Sequence, residues 1–198
     1  IKDHDVIIFE RTAGVSSTDL RFRAHKSLVA KKNKKILLTP GPSSICYQSI
    51  NNLIPVFGRG DDEYQAIKNI TLDWLNNISG QDETISLIGS ATCALEICIA
   101  NFIRGKVLAI KTGYYSERLI SLARKFCEVE VINFTDLDKV VKKFDWIIGC
   151  YTETSTGYML NMKRIKTLKT ITNAKLFLDS TGSIGLENDH SFADLVGY

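Results

Sequence analysis

Lys106-Val107-Leu108-Ala109-Ile110-Lys111-Thr112-Gly113-Tyr114-Tyr115-Ser116 decides how this chain is read. An apolar run of strand length, Lys106–Ile110, meets a glycine turn, and a helical pattern follows over Ser116–Phe126. The same unit repeats outward in both directions. Strands are expected at Thr84–Ile88, Glu128–Asn133, Trp146–Tyr151, Ala174–Asp179 and from Ala193 onward. Helices are expected at Thr92–Phe102, Asp136–Phe144 and Met162–Thr172. Strict alternation of this kind predicts an α/β fold, a mainly parallel sheet with helices on both faces. In such sheets ligands sit beyond the carboxyl ends of the strands.

Upstream, apolar residues at 64, 67, 70, 74, 75 and 78 predict a helix over Asp61–Ile78, with Gly80 as its stop. Pro40-Gly41-Pro42 is a stiff turn after the extended run Ile36–Thr39. Lys31-Lys32-Asn33-Lys34-Lys35 marks a break in composition, read as a linker over 31–35. Before it come a short strand, Asp5–Phe9, and a helix, Asp19–Val29, capped by Ser17 or Thr18.

Composition narrows the function classes. The chain has 198 residues, 44% apolar and 24% charged, which fits a globular domain. A net charge of +3 gives no reason to expect a nucleic-acid partner. No apolar stretch is long enough to span a membrane. The five cysteines (46, 93, 98, 127 and 150) lack CxxC spacing and read as thiols of a reducing compartment, so a cytoplasmic location is expected. The three N-x-S/T sites, at Asn69, Asn77 and Asn133, read as chance matches without a secretory signal. Arg59-Gly60-Asp61 reads as a helix start, not an adhesion motif. The chain opens on Ile1 and stops inside a strand-like run, Ala193–Tyr198, so a piece of a longer polypeptide is expected.

Four features stand just past strands. Gly89-Ser90-Ala91-Thr92 leads into a helix, where small residues, two hydroxyls and free N–H groups suit a phosphate; ordinary capping explains it equally well. Tyr115 follows Lys106–Ile110 and can cover a flat ring or sit half-buried. Glu153-Thr154-Ser155-Thr156-Gly157 is a hydroxyl-rich stretch, a site or a plain turn. Asp179 ends an apolar strand and, once desolvated, needs a partner. A protonated ring nitrogen, an arginine or a helix N-terminus would each serve. Together the four describe a holder for pyridoxal 5'-phosphate (PLP), whose protonated ring is an electron sink.

Residues 36–198 resemble class V PLP-dependent aminotransferases of fold type I, most of all the 2-aminoethylphosphonate–pyruvate transaminase group. The resemblance rests on Leu38-Thr39-Pro40-Gly41-Pro42, Gly89–Thr92, Thr112-Gly113-Tyr114-Tyr115-Ser116-Glu117-Arg118, Glu153–Gly157 and Asp179-Ser180-Thr181-Gly182-Ser183. It implies the N-terminal part of a fold type I large domain, incomplete at its C-terminal side. It also implies that Ser90, Ala91 and Thr92 hold the cofactor phosphate. Tyr115 stacks on the ring, Thr154 lies near the ring hydroxyl, Asp179 pairs with the ring nitrogen and Thr181 packs on the far face. Gly41 borders the substrate. The family's Schiff-base lysine would fall just after Tyr198, so the chain as given is expected to be inactive and the full-length protein active.

The implied reaction moves an amino group between 2-aminoethylphosphonate and pyruvate. The alternatives are an alanine–glyoxylate or serine–pyruvate type enzyme, or a parent that is chiefly a cytidylyltransferase. The small-molecule partners are an amino donor and a 2-oxo acid, and a homodimer is implied. Residues 1–30 carry a second resemblance. Arg11-Thr12-Ala13-Gly14-Val15-Ser16-Ser17-Thr18 is similar to a motif near the end of cytidylyltransferases, which implies nucleotide contacts from Arg11, Ser16, Ser17 and Thr18.

Overall fold

The structure is a computed structural model that describes residues 41, 58, 60–186 and 189–198. All of these except Gly41 belong to the compact unit Phe57–Tyr198. The strand expected at Asp5–Phe9, the helix at Asp19–Val29, the lysine linker and the run Ile36–Thr39 lie outside the described residues, as do Arg11, Ser16, Ser17 and Thr18.

Helix α1 (Asp62–Ser79) starts after Asp61 and ends at Gly80, which adopts the left-handed conformation. Its Leu72, Leu75 and Ile78 are half-buried, while Ile67, Ile70 and Trp74 stay exposed. Helix α2 (Ala91–Phe102) is N-capped by Ser90. Then come β1 (Lys106–Lys111), α3 (Tyr114–Ala123) and β2 (Glu128–Asn133). A 3₁₀ turn (Phe134–Lys139) precedes β3 (Trp146–Cys150). A small hairpin, β4 (Thr152–Glu153) with β5 (Tyr158–Met159), leads to α4 (Met162–Thr172). The described chain ends with β6 (Lys175–Asp179) and β7 (Leu195–Gly197).

The main sheet has the order β2-β1-β3-β6-β7, and every neighbouring pair is parallel. The central strands are apolar without alternation because both sheet faces are covered. Val107, Ala109, Trp146, Ile148, Cys150 and Phe177 point to one face, under Leu95 and Ile99 of α2 and Leu119, Ile120 and Ala123 of α3. Leu108, Ile110, Ile147, Leu176 and Leu178 point to the other, under Ile165 and Leu168 of α4 and Leu137 of the 3₁₀ turn. Fully burying one such aliphatic or aromatic side chain is worth about 2 kcal/mol, so these two layers hold the sheet flat against its helices.

The structure departs from the sequence reading in four places. Thr84–Ile88 forms no strand, and Ile85, Leu87 and Ile88 are exposed. A ladder needs a neighbour about 4.8 Å away, and a cavity of about 700 Å³ lies where Thr84, Ile85 and Leu87 face Val196, Gly197 and Tyr198. The helix expected over Asp136–Phe144 is only the 3₁₀ turn, anchored by Leu137. Val140 packs only partly against the core and Val141 is 86% exposed, so a further turn has little apolar anchorage. Helix α3 begins two residues before the expected Ser116, because its first turn is capped from another element. The β4–β5 hairpin was not expected at all.

Gly105 shows how the strands are aligned. It sits at φ 80°, a region that favours glycine, directly before β1. Lys106 N–H donates to Asp145 Oδ2 at 2.7 Å, Asp145 N–H donates to the Lys106 carbonyl at 2.9 Å, and Lys175 N–H donates to the Asp145 carbonyl at 2.9 Å. The starts of β1, β3 and β6 are therefore tied through Asp145. A Cβ on residue 105 would run into the Asp145 carboxylate. Gly105→Ala should destabilise the protein by about 1–3 kcal/mol in chemical denaturation, and an unchanged midpoint would show that this tie is dispensable.

Candidate functional site at the carboxyl edge of the sheet

Because the strands are parallel, the segments after β1, β3 and β6 emerge at one edge, and a run of contacts joins them. The first is at α2. Ser90 Oγ accepts the Cys93 N–H at 3.3 Å, and Arg118 of α3 donates from Nη2 to Thr92 Oγ1 at 2.6 Å. Ser90 is exposed, and Ala91 and Thr92 are half-buried. The start of α2 thus carries N–H groups, at Ala91 and Thr92, that no backbone acceptor among the described residues takes, with two hydroxyls and a nearby guanidinium, a donor set suited to an anion.

The second contact is at α3. Ser116 Oγ accepts from Thr112 N–H and Gly113 N–H, both at 2.8 Å, and donates to the Gly113 carbonyl at 2.7 Å. The first turn of α3 is then closed by Glu153, which belongs to β4. Glu153 is fully buried. Its Oε2 accepts from Ser116 N–H at 2.9 Å and from the Thr112 hydroxyl at 3.3 Å. Its Oε1 accepts from Tyr115 N–H at 3.2 Å, Ser155 N–H at 3.2 Å and the Ser155 hydroxyl at 2.5 Å. Gly113 makes room for this, since a Cβ there would lie 2.6 Å from Ser155 Oγ and 2.7 Å from Glu153 Cγ.

Burial of Glu153 favours the neutral acid, but hydrogen bonds from Ser155, Ser116 and Tyr115 outweigh it and hold the carboxyl below the ordinary glutamate range. The folded value is depressed, so the stabilisation is present above the unfolded value and is lost as pH falls through the folded one. The melting temperature should therefore fall on acidification below about pH 4. Glu153→Gln should flatten that fall, and equal slopes for both proteins would remove Glu153 from the acid transition.

The third contact is at β6. Asp179 is 8% exposed. Its Oδ1 accepts from Thr181 N–H at 3.0 Å and from the Thr181 hydroxyl at 2.7 Å, and its Oδ2 faces Cys150 Sγ at 3.6 Å. The turn after β6 touches the hairpin: a Cβ on Gly182 would lie 2.7 Å from Thr154 Cγ2. Thr154 is half-buried, Thr181 is exposed and Tyr115 is 40% exposed, its ring edge-on to that of Tyr114 at 5.3 Å.

Ser90, Ala91, Thr92, Tyr115, Thr154, Asp179 and Thr181 thus lie on elements in contact along one edge. Gly41 is an exposed bend at φ 149°, in the other compact unit. The sequence reading did not assign roles to Glu153, Arg118 or Cys150. A carboxylate immediately after a buried strand was the available signal for Glu153. Among the described residues no cluster of three or more His, Cys, Asp or Glu could hold a metal ion. Among them, too, no helix is long and apolar enough to cross a membrane, and Cys93, Cys98, Cys127 and Cys150 are free thiols.

The same arrangement of elements occurs in known structures. Ureidoglycine–glyoxylate aminotransferase from Bacillus subtilis superposes with a TM-score of 0.68 at 21% identity, covering 83% of this chain and 48% of that one. Alanine–glyoxylate aminotransferase from Nostoc sp. superposes with a TM-score of 0.68 at 22% identity, covering 83% and 50%. The fold is that of the PLP fold type I aminotransferases. No family model matches the chain. Among curated proteins, 2-aminoethylphosphonate–pyruvate transaminase of Pseudomonas fluorescens is 27% identical over 171 residues, 76% of this chain and 45% of its own length. The Bacillus cereus protein of that name is 26% identical over 145 residues, 64% and 42%. The chain spans less than half the length of these relatives.

Proposed function

We propose that this chain carries the cofactor-holding edge of a PLP-dependent aminotransferase that moves an amino group between a small amino donor and a small 2-oxo acid. The observation that carries the reading is Asp179, a buried carboxylate at the end of β6 whose Oδ1 is clamped by Thr181. The donor set fits the cofactor: a carboxylate for a ring nitrogen, and hydroxyls with free N–H groups at α2 for a phosphate. When bound, PLP supplies an electron sink.

On this reading the chain's residues bind and orient. Ser90, Ala91 and Thr92 hold the phosphate by the N–H groups of α2 and by hydroxyls. The Asp179 carboxylate pairs with the ring nitrogen and keeps a proton on it. Tyr115 covers one ring face, Thr181 packs on the other, Thr154 meets the ring hydroxyl and Gly41 borders the substrate. A homodimer in the cytoplasm belongs to the same proposal. So does the division into 1–30 (cytidylyltransferase-like, with Arg11, Ser16, Ser17 and Thr18 at the nucleotide), 31–35 (linker) and 36–198 (aminotransferase).

For the substrates, an alanine–glyoxylate or serine–pyruvate type of reaction is favoured, because solved structures that superpose on this chain include glyoxylate aminotransferases. A second reading, 2-aminoethylphosphonate with pyruvate, has its support in the names of the curated relatives. The full-length protein should develop a visible absorption band on titration with PLP. It should then convert alanine with glyoxylate faster than 2-aminoethylphosphonate with pyruvate. The opposite order would establish the second reading, and a bound cofactor with neither reaction would end the transaminase proposal.

A further inference from the structure

Asp179 treats its two oxygens differently. Oδ1 is taken by the Thr181 N–H and hydroxyl, at 3.0 and 2.7 Å. Oδ2 faces the Cys150 sulfur at 3.6 Å. The two residues are register partners on β3 and β6, so the sheet itself sets their separation. Cys150 is 2% exposed. A thiol is a weak donor and a carboxylate oxygen accepts, so in this contact the S–H of Cys150 points at Oδ2. Burial pushes the Cys150 thiol up, and the charges of Asp179 and Glu153 push it the same way. The thiol therefore stays protonated, which makes it a standing donor and a poor nucleophile.

Cys150 also packs in the core layer under α2 and α3. Packing alone does not call for sulfur here, since valine or alanine would serve an apolar wall. Either would leave Oδ2 without its one donor from the sheet. We infer that Cys150 is a positioning residue whose S–H bond to Oδ2 fixes the rotation of the Asp179 carboxylate, leaving its remaining lone pair for a ring nitrogen. The part concerning the ring rests on the function proposed above.

Two measurements on the full-length protein test this. The first is the infrared S–H stretching band of Cys150, identified by its loss in Cys150→Ser. It should lie below the band of the exposed Cys93 and move up toward it in Asp179→Asn. A Cys150 band that coincides with that of Cys93, or ignores Asp179→Asn, overturns the inference. The second is the dissociation constant of PLP. Serine keeps a donor and valine keeps only bulk. Cys150→Ser should stay within about twofold of the parent, and Cys150→Val should bind roughly threefold to tenfold more weakly, the range of one modest hydrogen bond. Tight binding by Cys150→Val with weakened binding by Cys150→Ser would make the role packing and overturn the inference. If the parent protein takes up no PLP, the cofactor reading fails, and the infrared band still decides whether Cys150 holds Asp179.

Discussion

Asp179→Asn in the full-length protein is expected to slow the amino-transfer half-reaction on the order of a hundredfold or more, the scale of losing one strong electrostatic contact at a reacting centre. The amide keeps the shape, and its oxygen can still accept from Thr181 N–H and the Thr181 hydroxyl. What it loses is the charge that, on the proposed function, keeps a ring nitrogen protonated. Proton removal from the substrate carbon would then suffer most, because that is the step for which a bound PLP would supply the electron sink. Cofactor affinity should fall less, since Ser90, Ala91 and Thr92, proposed above to hold the phosphate, are untouched. The competing role for Asp179 is structural: it would only tie β6 to the turn at Thr181. In that case the melting temperature would drop while folded enzyme kept its half-reaction rate. Single-turnover kinetics and a melting curve on one preparation separate the two, and a near-normal rate would end the cofactor role.

The parts of the fold that could be read from the sequence are those whose burial is local in cause. Lys106–Lys111, Trp146–Cys150 and Lys175–Asp179 are short apolar runs covered on both faces, so composition alone marks them. Ser90 before α2 and Gly80 after α1 are end signals that act within one turn. The misreadings have causes elsewhere in the chain. Thr84–Ile88 has the residues of a strand, but pairing depends on a neighbour, and its apolar side chains are exposed. Asp136–Phe144 has a helical spacing of apolar residues, but only Leu137 finds a buried place among them before Phe144 returns to the core. The site shows the same division. Asp179 and Ser90 could be picked out because each stands just past an apolar run. Cys150 could not, because its meaning comes from register with Asp179 across two strands. Glu153 was visible as part of a motif, yet its partners lie on a helix that begins almost forty residues earlier.

Glu153→Ala is expected to cost the fold about 3–4 kcal/mol, the largest stability loss of any single change at this edge. The carboxylate is the shared acceptor for the N–H groups of Tyr115, Ser116 and Ser155. Alanine leaves these donors without it, and each buried unsatisfied donor costs about 1–3 kcal/mol, less where water can enter. Ser116 is 1% exposed, so its N–H bears most of the loss, whereas Ser155 is exposed and can turn to solvent. Glu153→Gln should cost less, because one oxygen still accepts, but the amide N–H₂ must face donors that it cannot satisfy. The damage should be local before it is global. Amide exchange at Tyr115 and Ser116 should speed up in Glu153→Ala while exchange in β1 and β3 stays slow under native conditions. Because α3 carries both Tyr115 and Arg118, a loosened first turn also frees the ring and the contact to Thr92. Phosphate-ester affinity and stability should then fall together. If Glu153→Ala melts within a degree or two of the parent, the latch between β4 and α3 contributes little. The position of Tyr115 would then have to come from the core packing of α3 through Leu119, Ile120, Leu122 and Ala123.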